Sequence, residues 1–397
     1  MQCTYRFRIY PSAGQEEELR QWLDTCRWLY NKSLQERKEA YERDKTTVNY
    51  YDQANALKEA KETDVRLQSA HSQVLQDVLR RLDKSFHNFF RRVKNGEKPG
   101  YPRFKSRDRF NSFTFPQSGY KLEDGKLVLS KIGAIKLVQH REIPEEGVIK
   151  TCAIKLDVDQ WYATFVVELP EPDMEVERKE LKTAVGVDLG LNDIATLSTG
   201  EKIENPRWLR TSERKLAKVQ RRLSRKKKGS ENRKKQKTVV AKTHRKIRNQ
   251  RSDFNHKVSR ELVKRYDLIV FEDLKVKNMV KNPYLAKSIL DAGWNQLVNF
   301  TTYKAEWAGG VVEEVIPNGT SQNCSGCGME VKKSSSVRTH RCPYCGLEID
   351  RDWNAAINIL NRGLKKIGQG LPESIATPVE TFVGVSEKQE ATQLVGW

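Results

Sequence analysis

Residues 324–352, CSGCGMEVKKSSSVRTHRCPYCGLEIDRD, decide how this chain is read. Cys324 and Cys327 form one pair and Cys342 and Cys345 a second, spaced C-x2-C-x14-C-x2-C. Thiolates on two such knuckles hold one Zn2+ tetrahedrally with no open position, so the ion is structural. Gly328 and Gly346 follow the knuckles, where a tight turn demands φ > 0. Disulfides are the competing reading and do not suit a cytosolic chain. His340 lies close by and is expected on the surface, not as a fifth ligand. Asp352 follows seven residues after Cys345 and opens a helix with apolar positions at Trp353, Ala356, Ile357 and Leu360. Placed as N-cap, its carboxylate would lie along the helix axis and be kept ionised by the helix dipole.

An acidic metal site needs more than one carboxylate. Asp188 ends the apolar run of TAVGVDLG, and Glu272 ends that of LIVFEDL. Two adjacent strands with a helix packed on them can bring both to Asp352. Oxygen ligands around open water positions suit Mg2+. Two such ions about 3.5–4 Å apart can activate a water and stabilise the leaving oxygen of a phosphodiester. Asp193 and Asp273 sit beyond the strand ends and read as turn or cap residues. Asp350 stays open as a rival to Asp352.

The substrate class comes from charge. The 397 residues carry a net +20, but residues 207–251 alone hold 20 Lys/Arg against Glu213 and Glu231. The rest balances, 52 basic against 50 acidic. A block such as this, with Arg221, Arg222, Arg225 and Lys226 at its centre, binds polyanions by counterion release, and nucleic acid is preferred over an anionic membrane. No stretch approaches the ~20 apolar residues of a membrane span. MQCTYRFRIYPS has no apolar export core, so the expected compartment is the cytosol, with Cys3, Cys26 and Cys152 reduced.

Along the chain, CTYRFRIY (2–9) alternates as a strand. Two helices follow, one with Leu19, Leu23, Cys26, Leu29 and Tyr30 on one face, the other over about 71–94 with Val74, Val78, Leu82, Phe86 and Phe89 in a stripe. A β region over about 112–170 contains the hairpin KLEDGKLVL, turning at Asp124-Gly125, and a second hairpin, KTCAIKLDVDQWYATFVVEL. The first strand is expected to join these in a small barrel with the helices inserted. PEPDMEVERKE (170–180) marks a domain boundary. Beyond it come the two acid-bearing strands, the basic segment, an amphipathic helix over 254–265, a helix over about 288–308 and the strand GGVVEEVIP. A polar tail starts at Gly368.

The order VGVDLGLND, basic stretch, LIVFEDL, four-cysteine ribbon and DRDWNAA resembles the split RuvC nuclease domain of the TnpB family, which insertion sequences encode and which is similar to compact type V CRISPR effectors. SDFNHKVSRELVKRYDLIVFEDL and TSQNCSGCG match further; QVLQDVLRRLDKSFHNFFRR and KPGYPRFKSR match more loosely. The resemblance implies an α/β and β multidomain protein. Residues 180–316 and 348–367 would form an RNase H-like RuvC core, with a zinc ribbon inserted at 317–347. Residues 1–10 and 104–175 would form a wedge β-barrel, 11–103 an inserted helical recognition lobe, and 368–397 a disordered tail. Asp188, Glu272 and Asp352 would be the catalytic, magnesium-binding triad, with Arg338 beside the cleavage centre. From their charge on the ribbon, Lys332, Lys333 and Arg341 are expected as further phosphate contacts. Tyr51 and Gln76 would read a short motif in the target duplex. The implied activity is RNA-guided cleavage of double-stranded DNA by a monomeric ribonucleoprotein, its guide RNA drawn from the transposon end, in the nucleoid region of a prokaryotic cytoplasm. A nuclease-inactive guided regulator and an RNA-independent nuclease or transposition accessory are the alternatives.

Overall fold

The computed structural model describes residues 2–170, 181–334 and 336–368, so all but the first residue of the expected boundary segment 170–180, and the tail beyond Gly368, lie outside the described residues. The chain divides into two compact units, Met1–Met174 and Glu175–Trp397.

In the first unit β1 (Gln2–Tyr10) leads into a 32-residue helix α1 (Ala13–Asp44), then α2 (Tyr50–Thr63), α3 (Val65–Ser69) and α4 (Ser72–Lys94). Six strands follow, β2 (Ser112–Phe115), β3 (Tyr120–Glu123), β4 (Lys126–Leu129), β5 (Gly133–Val138), β6 (Val148–Asp157) and β7 (Gln160–Glu168). The first strand joins them, giving the order β2-β6-β7-β1-β5-β4-β3. The ladder ends at β2 and β3 rather than closing, so the expected barrel is a curled half-barrel. Tyr120 on one edge strand draws the curl together: its ring lies 6.2 Å from that of Phe115 on the other, and its hydroxyl donates to the Ile149 carbonyl at 3.3 Å. Trp22 of α1 packs 5.5 and 5.9 Å from the rings of Phe113 and Phe115, and one hydrophobic core runs through helices and sheet. Asp124 and Gly125 turn the first hairpin with φ of 47° and 70°, the left-handed pair that such a two-residue turn requires. The helices α2 and α3 have no counterpart in the expected elements; only Gln53, Leu57 and Leu67 are buried on them, too few to make an apolar period.

The second unit is built on the mixed sheet β10-β9-β8-β11-β12, comprising β8 (Ala184–Asp188), β9 (Asp193–Leu197), β10 (Lys202–Glu204), β11 (Leu268–Glu272) and β12 (Val311–Val315). β8, β11 and β12 are parallel. The basic segment is a helical hairpin, α5 (Trp208–Ser224) and α6 (Glu231–Arg265). The amphipathic helix expected at 254–265 is therefore only the last third of a 35-residue helix. Its polar first part shows no apolar period because few apolar residues are buried there, Ile247 on α6 with Leu216 and Val219 on α5, and polar contacts join the two: Arg233 donates to the Leu223 and Lys226 carbonyls at 2.9 and 3.0 Å, and Gln236 to that of Val219 at 3.0 Å. After the short α7 (Val276–Met279), the helix expected over 288–308 is broken into α8 (Pro283–Ala292) and α9 (Trp294–Trp307) by Gly293, whose φ of 67° ends one and starts the other. A two-stranded ribbon, β13 (Thr339–Arg341) with β14 (Glu348–Asp350), precedes the last helix, α10 (Arg351–Lys366).

Side chains alternate between the faces of β8 and β11. Val185, Val187, Ile269 and Phe271 pack under α6, α8 and α9; Ala184, Leu268 and Val270 pack under α10 with Ile359, Leu360 and Leu364. Two glycines let α10 lie close. A Cβ on Gly186 would stand 2.1 Å from the Ala356 carbonyl oxygen, and one on Gly363 would stand 2.3 Å from the Val270 side chain. No helix among the described residues is long and apolar enough to cross a membrane.

Candidate metal centres

The strand register places two of the acids. Val187 pairs with Phe271, so Asp188 and Glu272 occupy the next rung at the C-terminal ends of parallel neighbours. They extend the rows Ala184–Gly186–Asp188 and Leu268–Val270–Glu272, the rows that face α10. Asp352 lies in the first turn of that helix. Asp188 feels the convergence: its carboxyl is held well above the usual carboxylate range, first by burial and then by repulsion from Glu272 and Asp352, with Arg351 opposing. Glu272 is buried and also raised, chiefly by desolvation, against a hydrogen bond from Thr320.

The helix start differs from expectation. Asp350, not Asp352, is the N-cap: its Oδ1 accepts the backbone N–H groups of Asp352 and Trp353 at 2.8 and 3.1 Å, and Oδ2 accepts Lys202 at 2.8 Å. Burial would raise the Asp350 pKa, but Lys202 and those N–H groups outweigh it and hold it low. Its lone pairs are committed to structure. Asp352 instead projects from the first turn into a guanidinium clamp, Oδ1 accepting Arg351 Nε and Nη2 at 3.0 and 2.9 Å, and Oδ2 accepting Arg338 Nη1 at 3.2 Å. Arg351 is mostly covered, whereas Arg338 is half exposed, at 51%. Trp353 donates to the Ser198 carbonyl at 2.9 Å, fastening the helix start to the β9–β10 hairpin.

The thiolates are already assembled. All four sulfurs lie within 4.8 Å of one another, the sole such group of three or more His, Cys, Asp or Glu ligands among the described residues. Cys324 and Cys345 are 3.6 Å apart, and Cys327 and Cys342 3.5 Å. Tetrahedral Zn–S bonds of about 2.3 Å separate sulfurs by roughly 3.8 Å, so the set fits zinc after a small expansion. Gly328 and Gly346 close matching knuckles with φ of 76° and 75°, each donating back to the first cysteine of its pair at 2.8 and 3.0 Å. His340 is a correction: it is fully buried, because it lies at the centre of the three-residue strand β13 with Nδ1 on Lys333.

Residues that sequence reading passed over hold this site. Asn354, Asn358 and Arg362, one turn apart on α10, bind the carbonyls of the connection between β12 and the ribbon. A polar stripe at i, i+4, i+8 opposite an apolar one was the available signal. Elsewhere, Arg221, Arg222 and Arg225 line an open groove of about 1160 Å³ along α5, and Lys226 is exposed beside them. In the first unit Tyr51 is 73% exposed in the first turn of α2, and Gln76 is half-buried on α4.

Known proteins match this architecture. Residues 164–283 match the family model described as "Probable transposase" (OrfB_IS605), and 294–359 match that of a Cas12f1-like TNB domain. Residues 1–46 match a helix-turn-helix domain model, yet here they form β1 and one continuous helix. A Streptomyces pristinaespiralis protein named "Putative RNA-guided DNA endonuclease" is 37% identical over 91% of this chain and 89% of its own length. The Escherichia coli protein InsQ, named likewise, is 33% identical over 99% of this chain and 98% of its own. The chain belongs to the TnpB family. Both relatives are named as RNA-guided DNA endonucleases, and the fold is similar to that of a solved Cas12f1 chain. The structure of a Cas12f1–guide RNA–target DNA complex superposes with a TM-score of 0.57 at 15% identity, over 91% of this chain and 99% of the other.

Proposed function

We propose that this family member is an RNA-guided endonuclease that cuts double-stranded DNA beside a short duplex motif, by Mg2+-dependent hydrolysis at Asp188, Glu272 and Asp352. The observation that carries this reading is the shared rung of Asp188 and Glu272 beneath the first turn of α10. Two buried carboxylates side by side repel and resist ionisation; a divalent cation relieves both effects, so the donor set fits Mg2+. The bound ion would supply a polarised phosphate and an activated water. The chain's own groups do the rest. Asp188 and Glu272 are fixed by their strands, and Asp352 completes the set once its arginine clamp opens. Arg338, the exposed clamp member, is placed to exchange that carboxylate for a phosphate oxygen.

The basic hairpin, with Arg221, Arg222, Arg225 and Lys226, would hold the phosphate backbone of guide or target. Tyr51, exposed at a helix start, and Gln76 are the proposed motif readers. One structural Zn2+ at the four cysteines would fix the ribbon. The domain layout drawn from the resemblance, the transposon-end origin of the guide and a monomeric ribonucleoprotein belong to the same proposal. The test is to sequence RNA that co-purifies with the protein and then offer it duplex DNA matching that RNA's 3′ end. Mg2+-dependent cuts in the matched duplex support the reading. Cutting that needs no RNA, or guided binding without cutting, would replace it with one of the two alternatives.

A further inference from the structure

We infer that Thr320 is a positioning residue for Glu272, tying the second acid to the helix that carries the third. This rests on the carboxylate reading above and adds to it a residue that does not itself touch metal or substrate. Thr320 is buried, and its hydroxyl donates to Glu272 Oε1 at 2.5 Å. The Pro317 carbonyl is a second acceptor, 3.0 Å away. A hydroxyl has one proton, and a carboxylate takes it in preference to a neutral carbonyl. The bond therefore fixes one oxygen of Glu272 and leaves the other to a cation.

The hydroxyl is itself held in place. Asn358 donates to the carbonyls of Thr320 and Asn323 at 2.8 and 2.7 Å, and Asn354 donates to Asn323 at 2.8 Å while accepting the Ser325 N–H at 2.9 Å. Arg362 binds the Ile316 and Asn318 carbonyls, each at 2.7 Å. All three side chains belong to α10, which cannot rise from the sheet without opening the contact at Gly186. The connection ends at Cys324, in the thiolate cluster. Thr320 thus reads the position of α10, and with it Asp352, out to the tip of β11. The competing reading is a threonine that merely closes a local turn onto Pro317. That reading makes no demand on metal binding.

The two separate on binding of Mn2+, a Mg2+ stand-in, to the full-length protein, followed by electron paramagnetic resonance with zinc counted in parallel. Thr320→Val keeps the shape and removes the donor; Thr320→Ser keeps the donor. The expected result is roughly tenfold weaker Mn2+ binding for the valine, near wild-type binding for the serine, and one zinc per chain in both. Mn2+ binding by Thr320→Val equal to wild type overturns the inference, as does equal weakening by Thr320→Ser. Thr320→Ala gives the same reading should the valine lose zinc. Glu272→Gln separates the two levels. If it binds Mn2+ normally, the carboxylate reading itself falls; if it loses Mn2+ while Thr320→Val does not, only the role of Thr320 falls.

Discussion

The thiolate cluster and the carboxylate site lie in the same unit but are put together in opposite ways. The cysteines draw on 22 consecutive residues, 324–345, and their sulfurs stand at near-zinc spacing. The carboxylates come from β8, β11 and α10, and they are held by other partners: Asp352 is gripped by Arg351 and Arg338, and Asp188 is driven toward its neutral form. The cysteine sulfurs are brought together by turns local to one short loop. The carboxylates come from distant segments, and each, once ionised, penalises the charge of the next. A structural site is therefore finished by its loop, whereas a reactive one waits for its cation.

The largest effect that would test this contrast is loss of zinc. Cys342→Ser should empty the ribbon and unfold it, since structural zinc contributes on the order of 10–16 kcal/mol to small metal-bound folds. Metal analysis showing one zinc per chain in wild type and none in the variant, with loss of the ribbon's amide protection, is the expected outcome. Next comes chemistry without unfolding. Asp188→Ala should lower cleavage by about a thousandfold or more while guided target binding persists; retained cutting would remove Asp188 from the site.

A smaller effect reverses the usual direction of a mutation. The raised pKa of Asp188 means that the folded protein binds a proton the unfolded chain has released, so metal-free stability falls as pH rises above the ordinary carboxylate value near 3.8. Asp188→Asn should therefore stabilise the metal-free protein at neutral pH, and the gain should vanish near pH 4. Melting curves at the two pH values, with divalent cations chelated, would check it. The smallest is the cap. Asp350→Ala should cost about 1 kcal/mol of stability through loss of the α10 N-cap.

How much was legible follows the same line. The knuckles, the Asp124-Gly125 turn and the apolar stripe of α10 are local patterns, and each predicted its element. The in-register ends of β8 and β11 were legible as two apolar runs ending in an acid, but their shared rung was not. The distinction between Asp350 and Asp352 escaped sequence reading because both lie within one turn of a helix start. Only Lys202, 148 residues away, and the Arg351–Arg338 clamp reveal which one is committed to structure. His340 was misplaced for a related reason: flanked by Thr339 and Arg341, it looks solvated, and burial comes from what the ribbon folds against.

The central claim is that Asp352, not the cap beside it, joins Asp188 and Glu272 in the cutting centre. Single-turnover cleavage of duplex DNA matched to the co-purified RNA, followed against Mg2+ concentration, tests it most directly in Asp352→Asn and Asp350→Asn side by side. The account predicts no product from Asp352→Asn at any Mg2+ concentration and a rate within about tenfold of wild type from Asp350→Asn. The reverse order, or normal cutting by Asp352→Asn, would contradict it.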